Sequence, residues 1–349
     1  MNHQELRIRL RIKRDLVNLL GYKPHRFTSI NRAEKIPFSR AEKIEPYSNN
    51  FSIEVEDPRS NRTLGHHFNP RDVYLLEDVV VEPKQGLIYT ENGLLLSEST
   101  NWSTSNLYES FPWNPKRVSR HLNSAPLINL TSSAFGHWLV EDLASTLYLL
   151  QKYPDSILLV SKFRSRFVNE IIDYLNREII EVDGPVRVKK LLTVTKQNDS
   201  GWMNPRDLEI LQEFAKGVGS IGYETPNKIY ATRRSLKRSP SNEVDIENLF
   251  RSSGFSVLKL EDLDFITEIQ IMKNVTELAG ISGSWQFNSI WMPAGSKLFD
   301  IANENYWTEL AHRVCHLKKI RYNSTLYKGK FESAVDLQKL AKDLEASNL

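Results

Sequence analysis

Lys228-Ile229-Tyr230-Ala231-Thr232-Arg233-Arg234 reads as a short apolar strand that ends in two arginines. The alternation continues downstream with helix Glu243 to Ser252, strand Phe255 to Leu260, helix Phe265 to Asn274, strand Glu277 to Ile281, helix Trp285 to Met292 and strand Lys297 to Ile301. Brief apolar runs separated by helical periods belong to a parallel sheet covered by helices, so this half predicts one doubly wound α/β unit.

Upstream the same alternation is looser. Leu127 to Leu130 reads as a strand, Gly136 to Lys152 as a long helix with Leu139, Leu143, Leu147 and Leu150 on its core face, Ser156 to Ser161 as a strand, Phe167 to Leu175 as a helix and Val186 to Val194 as a strand. Val79-Val80-Val81 is a further buried-strand run. Gly86 to Leu96 carries two apolar arms around Asn92-Gly93, a hairpin signal because both turn positions take positive φ. Gly201-Trp-Met-Asn-Pro-Arg206 reads as a linker before helix Leu208 to Lys216, and Ala334 to Ala346 as a closing amphipathic helix. The expected organisation is a basic helix and irregular cover over 1–70, a first α/β domain over 71–205, a second over 206–325 and the closing helix over 326–349.

Bulk properties bound the function. The 349 residues carry 40% hydrophobic residues, enough for two cores, and a formal charge of only +3 without a basic block, so no nucleic-acid partner is expected. Cys315 is the sole cysteine, which rules out an internal disulfide and a cysteine-based zinc site and fits a cytoplasmic protein. No run approaches the roughly 20 apolar residues of a membrane span, and the first residues lack a signal-peptide core. Leu6 to Leu20 instead reads as a basic helix with Arg7, Arg9, Arg11, Lys13 and Arg14. Such a helix either packs its leucines on the body or lies on an anionic membrane surface.

Ligands of parallel α/β sheets bind beyond the carboxyl ends of the strands, where helix N-termini offer N–H groups. Arg233 and Arg238 follow one such strand and suit a phosphate. Ser282-Gly283-Ser284 follows another and lets backbone approach an anion, while Asn242-Glu243 opens a helix with an acid able to accept from ribose hydroxyls. Each also has a plain structural reading, as a solvated turn, a cap or a helix-dipole partner. A P-loop and a G-x-G-x-x-G are both missing, which excludes the common ATPase and dehydrogenase signatures. In the first half, His137 and Glu141 are spaced four apart on one helix and therefore adjacent, a pairing that suits proton transfer from a hydroxyl near neutral pH, or a capped ion pair. Asp142, about 100° further round the helix, is a second candidate base.

These residues, in this order, resemble glycosyltransferase family 61, whose bacterial members serve capsular and surface polysaccharide synthesis. The resemblance rests on His137-Trp138-Leu-Val-Glu141; on Ile229 to Arg233 with Arg238 and Asn242-Glu243; on Gly254-Phe255; and on Gly280 to Asn288 followed by Met292-Pro293-Ala-Gly295. It covers roughly residues 75 to 320. Four positions depart from the family pattern: Ser282 stands where His is usual, Trp285 where Gly is common, Glu268 where Gln is frequent, and Glu141 where Asp is usual, which keeps the carboxylate.

The resemblance implies a GT-B fold, with two Rossmann-like, doubly wound domains facing a cleft, and an inverting hexosyl- or pentosyltransferase that uses neither metal nor cofactor. The donor is a nucleotide sugar and the acceptor a saccharide or lipid-linked saccharide hydroxyl. The implied roles are Glu141 assisted by His137 as base, with Asp142 as the alternative. Arg233 and Arg238, with the Gly283 and Ser284 amides, would take the diphosphate beside Ser282. Asn242 and Glu243 would sit by the ribose, and Asn288 would orient the loop. Two rival readings are a non-catalytic sugar- or nucleotide-binding homologue and a scaffold docked peripherally at the inner membrane by the basic helix.

Overall fold

The computed structural model describes residues 27–33, 41–60, 62–100, 118, 120–196, 203–222, 224–234, 236 and 238–347. The basic helix expected over Leu6 to Leu20 lies outside these residues, as do Lys237 and the Gly201-Trp202 start of the expected linker.

The chain opens with β1 (Phe27–Thr28), a single helical turn α1 (Ile30–Ala33), β2 (Ala41–Ser48), the hairpin β3 (Phe51–Asp57) and β4 (Arg62–Phe68), and the long β5 (Arg71–Glu82). Residues 41–68 therefore correct the expectation of irregular cover. In β3 the side chains of Ile53, Val55 and Asp57 are buried while Ser52, Glu54 and Glu56 are exposed. One solvated strand face fills half the positions with polar residues, and this hid the period of two.

The hairpin β6 (Leu87–Tyr89) and β7 (Leu95–Leu96) follows, turning at Gly93 with φ 82°. Next come β8 (His121–Leu122), β9 (Leu127–Leu130), β10 (Ile157–Ser161), β11 (Ile179–Val182) and β12 (Val186–Val194). Together these make a mixed sheet in the order β1-β7-β6-β5-β12-β9-β10-β11, with β2 and β8 joined to β5 and β12. Only β12, β9, β10 and β11 form its parallel centre, since β5 runs antiparallel to β12, β2 and β6. The expectation of a doubly wound first unit is corrected on this point: the tight turn from β5 into β6 joins antiparallel strands only, and β12 runs beside β5 in the opposite direction.

The helices that cover the parallel centre are α2 (Phe135–Trp138), a π turn (Leu139–Leu143), α3 (Ala144–Lys152) and α4 (Arg166–Leu175). Leu139, Leu143, Leu147 and Leu150 are buried, as their spacing predicts. Helix α5 (Pro205–Gly217) starts with a reciprocal Asn204–Asp207 capping box and Pro205 in the first turn.

The second sheet is all parallel, in the order β14-β13-β15-β16-β17, from β13 (Lys228–Ala231), β14 (Ser256–Leu258), β15 (Glu277–Ile281), β16 (Lys297–Asn303) and β17 (Arg321–Tyr327). Its helices are α6 (Glu243–Ser252), α7 (Phe265–Met272), α8 (Leu310–Lys318) and α9 (Leu337–Ala346). The segment expected as an α-helix from Trp285 is a 3-10 helix, Ser284–Ile290. Strand β17 and helix α8 go unread in the sequence because Arg321, Asn323 and Ser324 interrupt one apolar run and His312, Arg313 and His316 the other.

One apolar core joins the facing sides of both sheets, from Ile128, Trp138 and Leu158 to Ile229, Phe265 and Leu298. Separate clusters cover the outer face of each sheet. Among the described residues no helix is long and apolar enough to cross a membrane.

Candidate functional site

The carboxyl ends of parallel strands from both sheets open towards one seam. Strand β9 leads into α2, β10 into α4, β14 into α7, and β15 into the 3-10 helix. A cavity of about 240 Å³ lies there, lined by Phe135, Arg166, Phe167 and Glu170 from the first unit and by Leu260, Glu261, Leu263, Phe265, Glu268, Ser284 and Trp285 from the second. Its floor is aromatic: Phe135 and Trp138 meet the Phe265 ring at centroid distances of 6.1 and 5.3 Å in edge-on geometry. Arg166 clasps the two sides by donating to the Glu261 carbonyl at 2.8 Å and pairing with Glu170, whose other oxygen accepts from the Phe265 amide at 2.8 Å.

His137 and Glu141 meet as their spacing predicts. His137 Nδ1 is 2.7 Å from Glu141 Oε1, with the imidazole 39% exposed and the carboxylate side chain only 4%. The hydrogen bond to Glu141 raises the pKa of the imidazole against the opposing cost of burial. Within the pair His137 is the more exposed group and Glu141 the more buried one. Gly136 fits directly against the 3-10 helix, since a Cβ there would lie 2.4 Å from the Phe287 ring. A glycine at this position thus lets the helix carrying His137 touch the loop that follows β15.

Asp142 does not join this pair. Its carboxylate forms an ion pair with Lys196 and lines a smaller internal cavity with Asn129, Thr131 and Thr146. The structure thus places Asp142 apart from the His137–Glu141 pair, with its carboxylate engaged by Lys196.

Arg233 follows β13 and lies in the seam. Its guanidinium Nη1 is 3.5 Å from the Ser282 carbonyl and packs against Gly283 so closely that a Cβ there would approach to 1.8 Å. The Glu261 carboxylate on the cavity wall acts electrostatically on the same guanidinium, while burial lowers its pKa. Arg238 is held differently from the expectation, its guanidinium stacked over Tyr306 at 4.1 Å and near Phe331 at 5.4 Å. Glu243 is buried and accepts from the Arg233 amide at 2.5 Å, from Thr232 Oγ1 at 3.3 Å and from Ser239 Oγ. Asn242 exchanges two hydrogen bonds with the Val335 backbone and makes no cap. The hydrogen bonds of Glu243 run to the turn that presents Arg233, whereas those of Asn242 run to the Val335 backbone.

The loop after β15 is organised from beneath. Ser282 Oγ donates to Asp300 Oδ1 at 2.5 Å, Trp285 Nε1 donates to the Ile281 carbonyl at 2.6 Å, and the Trp285 ring packs over Gly280. Ser284 remains exposed at the cavity rim. Asn288 is fully buried and donates to Glu268 Oε1 at 2.5 Å, which ties the 3-10 helix to α7.

Burial pushes the Glu268 carboxyl from its ordinary 4.5 up to about 8, so the group is largely protonated at neutral pH. A carboxyl whose pKa rises on folding binds its proton more tightly in the native state, and stability is lost as pH climbs from the unfolded towards the folded value. The wild type therefore loses stability between about pH 4.5 and pH 8 through this residue. Glu268→Gln, which keeps the acceptor for Asn288, is expected to gain melting temperature over wild type progressively across that window. Scanning calorimetry at pH 5 and pH 8 checks this, and an equal difference at both values contradicts it.

Sequence reasoning missed Glu261, Arg166 and Lys196, because each sits in a polar or loop stretch with no periodic signal and gains its meaning from a neighbour nearly a hundred or more than fifty residues away. Among the described residues no three or more His, Cys, Asp or Glu side chains gather in a metal-binding arrangement.

Residues 135–299, just under half of the chain, match the family model described as Glycosyltransferase 61. The matched segment begins at the helix that carries His137, contains Arg233 and ends inside β16. No curated protein matches the chain. The match supports glycosyltransferase family 61, and on it the chain is a glycosyltransferase enzyme that uses a sugar donor and a saccharide acceptor.

Proposed function

We propose that the chain is an inverting glycosyltransferase of the GT-B type, moving a sugar from a nucleoside-diphosphate donor to a saccharide hydroxyl without a metal or other cofactor. The observation that carries this reading is that the hydrogen-bonded His137–Glu141 pair and Arg233, its amide held by Glu243, both adjoin the loop that follows β15, the pair's helix through Phe287 and Arg233 through Gly283. Gly136 against Phe287 brings these two halves together.

In the proposed reaction the acceptor hydroxyl gives its proton to the outer nitrogen of His137, while the Glu141 carboxylate holds the other ring nitrogen and stabilises the imidazolium that forms. The acceptor oxygen bonds to the anomeric carbon from the face opposite the phosphate. The bond from that carbon to the phosphate oxygen breaks, the configuration inverts, and the nucleoside diphosphate leaves with the bonding electrons. Arg233 and the exposed Ser284 beside it meet the charge that gathers on the departing diphosphate. Arg238, stacked on Tyr306 and Phe331, adds positive potential behind Arg233 rather than a direct contact. The family resemblance points to capsule, exopolysaccharide or lipopolysaccharide assembly as the process, carried out in the cytoplasm on a saccharide or lipid-linked saccharide at the inner membrane.

Arg233→Ala is expected to weaken donor binding by about 10- to 100-fold, because a charge-assisted hydrogen bond contributes about 1.5–3 kcal/mol. Isothermal titration with UDP, GDP, CDP, ADP and dTDP, each with and without magnesium, measures this. Unchanged affinity of the variant for a nucleotide that binds wild type would move the donor site away from Arg233. Failure of every nucleotide to bind wild type would favour the non-catalytic or scaffolding alternative.

A further inference from the structure

The helix that carries the proposed base is not a regular α-helix where it matters. Leu139–Leu143, the stretch containing Glu141 and Asp142, is wound as a π turn between α2 and α3. A π turn inserts one residue into the helical ladder and disturbs the carbonyl partners around it, and such turns recur at functional sites. Here two of the carbonyls are met by side chains. Lys196 Nζ donates to the Glu141 carbonyl at 3.2 Å, and Ser145 Oγ donates to the Asp142 carbonyl at 3.0 Å. The same ammonium pairs with the Asp142 carboxylate.

Lys196 reaches the turn from just beyond β12, the strand beside β9, and its own amide is fixed to the Glu98 carbonyl at 2.7 Å. Its side chain is 13% exposed and lines the cavity of about 40 Å³ beneath the helix, on the opposite side from His137. Desolvation brings the pKa of the ammonium down to about 8, with the Glu141 and Asp207 carboxylates opposing that fall and Arg71 adding to it. An amine so buried persists only when paired and hydrogen-bonded.

The π turn reconciles two buried faces. Trp138 and Leu139 are fixed in the core before Glu141, and Leu143, Leu147 and Leu150 after Asp142. Closing the turn to α geometry would slip one segment by a residue, or about 100° of helical rotation. Either the leucines would leave the core or His137 and Glu141, which stay adjacent at a spacing of four in α geometry, would be carried together away from the 3-10 helix.

We infer that Lys196 is a positioning residue for the transferase reaction: by engaging the Glu141 carbonyl and Asp142 it fixes the π turn, and with it the backbone that holds the Glu141 carboxylate against His137. The inference rests on the proposed role of the His137–Glu141 pair as base.

The test compares the full chain with Lys196→Met and with the double variant Lys196→Met/Asp142→Leu. The double variant replaces a buried ion pair by apolar side chains of similar length, an exchange that is often neutral for stability. Three quantities are read: melting temperature, kcat and donor KM, and the His137 tautomer from ¹⁵N-histidine spectra at one pH, assigned by comparison with His137→Asn. The single variant is expected to lose both melting temperature and turnover. The double variant is expected to regain melting temperature while kcat stays at least about tenfold down, donor KM is unchanged, and His137 loses the Nδ1–H signature that Glu141 imposes. A double variant that recovers turnover with stability, or that keeps the wild-type tautomer, overturns the inference. If wild type transfers no sugar from any donor, the base reading fails, and the tautomer comparison still decides whether Lys196 holds Glu141 against His137.

Discussion

His137→Ala and Glu141→Gln are each expected to lower kcat by about 10²- to 10⁴-fold, the usual contribution of a positioned general base. Donor affinity should stay near the wild-type value in both, because Arg233 stands on the other wall of the seam. The physical reason for so large an effect from Glu141, which touches no substrate, is the 2.7 Å hydrogen bond to His137 Nδ1. That bond fixes which ring nitrogen carries the proton and raises the proton affinity of the pair. Glutamine keeps the shape and removes the charge that stabilises the imidazolium. The double variant should be scarcely slower than either single one, since two groups acting as a unit are not additive. The pH dependence has a definite sign. A base raised above its ordinary value near 6.5 is protonated, and so inactive, until pH passes the raised value. The acid limb of kcat/KM in wild type is therefore expected above pH 6.5, and Glu141→Gln should move what activity remains towards lower pH. Steady-state kinetics across pH 5–9 measure both effects; unchanged turnover in either single variant would remove the pair from the mechanism.

Asp207→Ala is expected to cost about 3–5 kcal/mol of stability, the penalty for stranding a buried charge. Arg71 and Asp207 are each about 3% exposed, with Arg71 Nη1 at 2.9 and 3.1 Å from the two carboxylate oxygens. Arg71 Nε also donates to the Thr195 carbonyl at 2.6 Å, and the Tyr47 hydroxyl donates to Asp207 at 2.7 Å. The aspartate additionally closes the capping box of α5 by accepting from the Asn204 amide. Its loss thus removes a cap, leaves a guanidinium buried without its carboxylate and loosens β2, β5 and α5 from one another. Urea denaturation followed by circular dichroism gives the difference. The paired variant Arg71→Met/Asp207→Leu is expected to recover most of it, and a single variant as stable as wild type would show that the network bears no stress. Thr195 adjoins Lys196, so turnover of the paired variant also reports whether this network supports the π turn.

Legibility in the sequence follows the physics of each element. Strands β13 to β16 of the second sheet were readable because buried parallel strands are uninterrupted apolar runs, as in Ile229 to Ala231 and Leu278 to Ile281, and helix α7 carries a plain start signal in Asp264 before Phe265. Strands β3 and β4 were not, since one face is solvated and residues such as Glu54 and His67 fill it. The His137–Glu141 contact was readable because a spacing of four brings side chains together within one helix. The order of the two was not, because depth depends on packing against Trp138 and the 3-10 helix. Glu243 illustrates the same limit at the other wall. A carboxylate opening a helix is ambiguous between a ligand and a brace, and only the position of the Arg233 amide decides for the brace. Lys196 had no signal at all: its role exists only through a π turn, which no periodicity announces.

In the proposed mechanism His137 and Arg233 serve one substrate from opposite walls of one seam. A crystal structure of Glu141→Gln with the nucleoside diphosphate that binds most tightly in titration is the direct test. The expected result is a diphosphate within hydrogen-bonding distance of Arg233 and Ser284, with its terminal phosphate directed towards the cavity that Phe135 and Trp285 line and towards His137. A nucleotide bound elsewhere, or bound with Arg233 still turned onto the Ser282 carbonyl and out of reach of the phosphates, would contradict it.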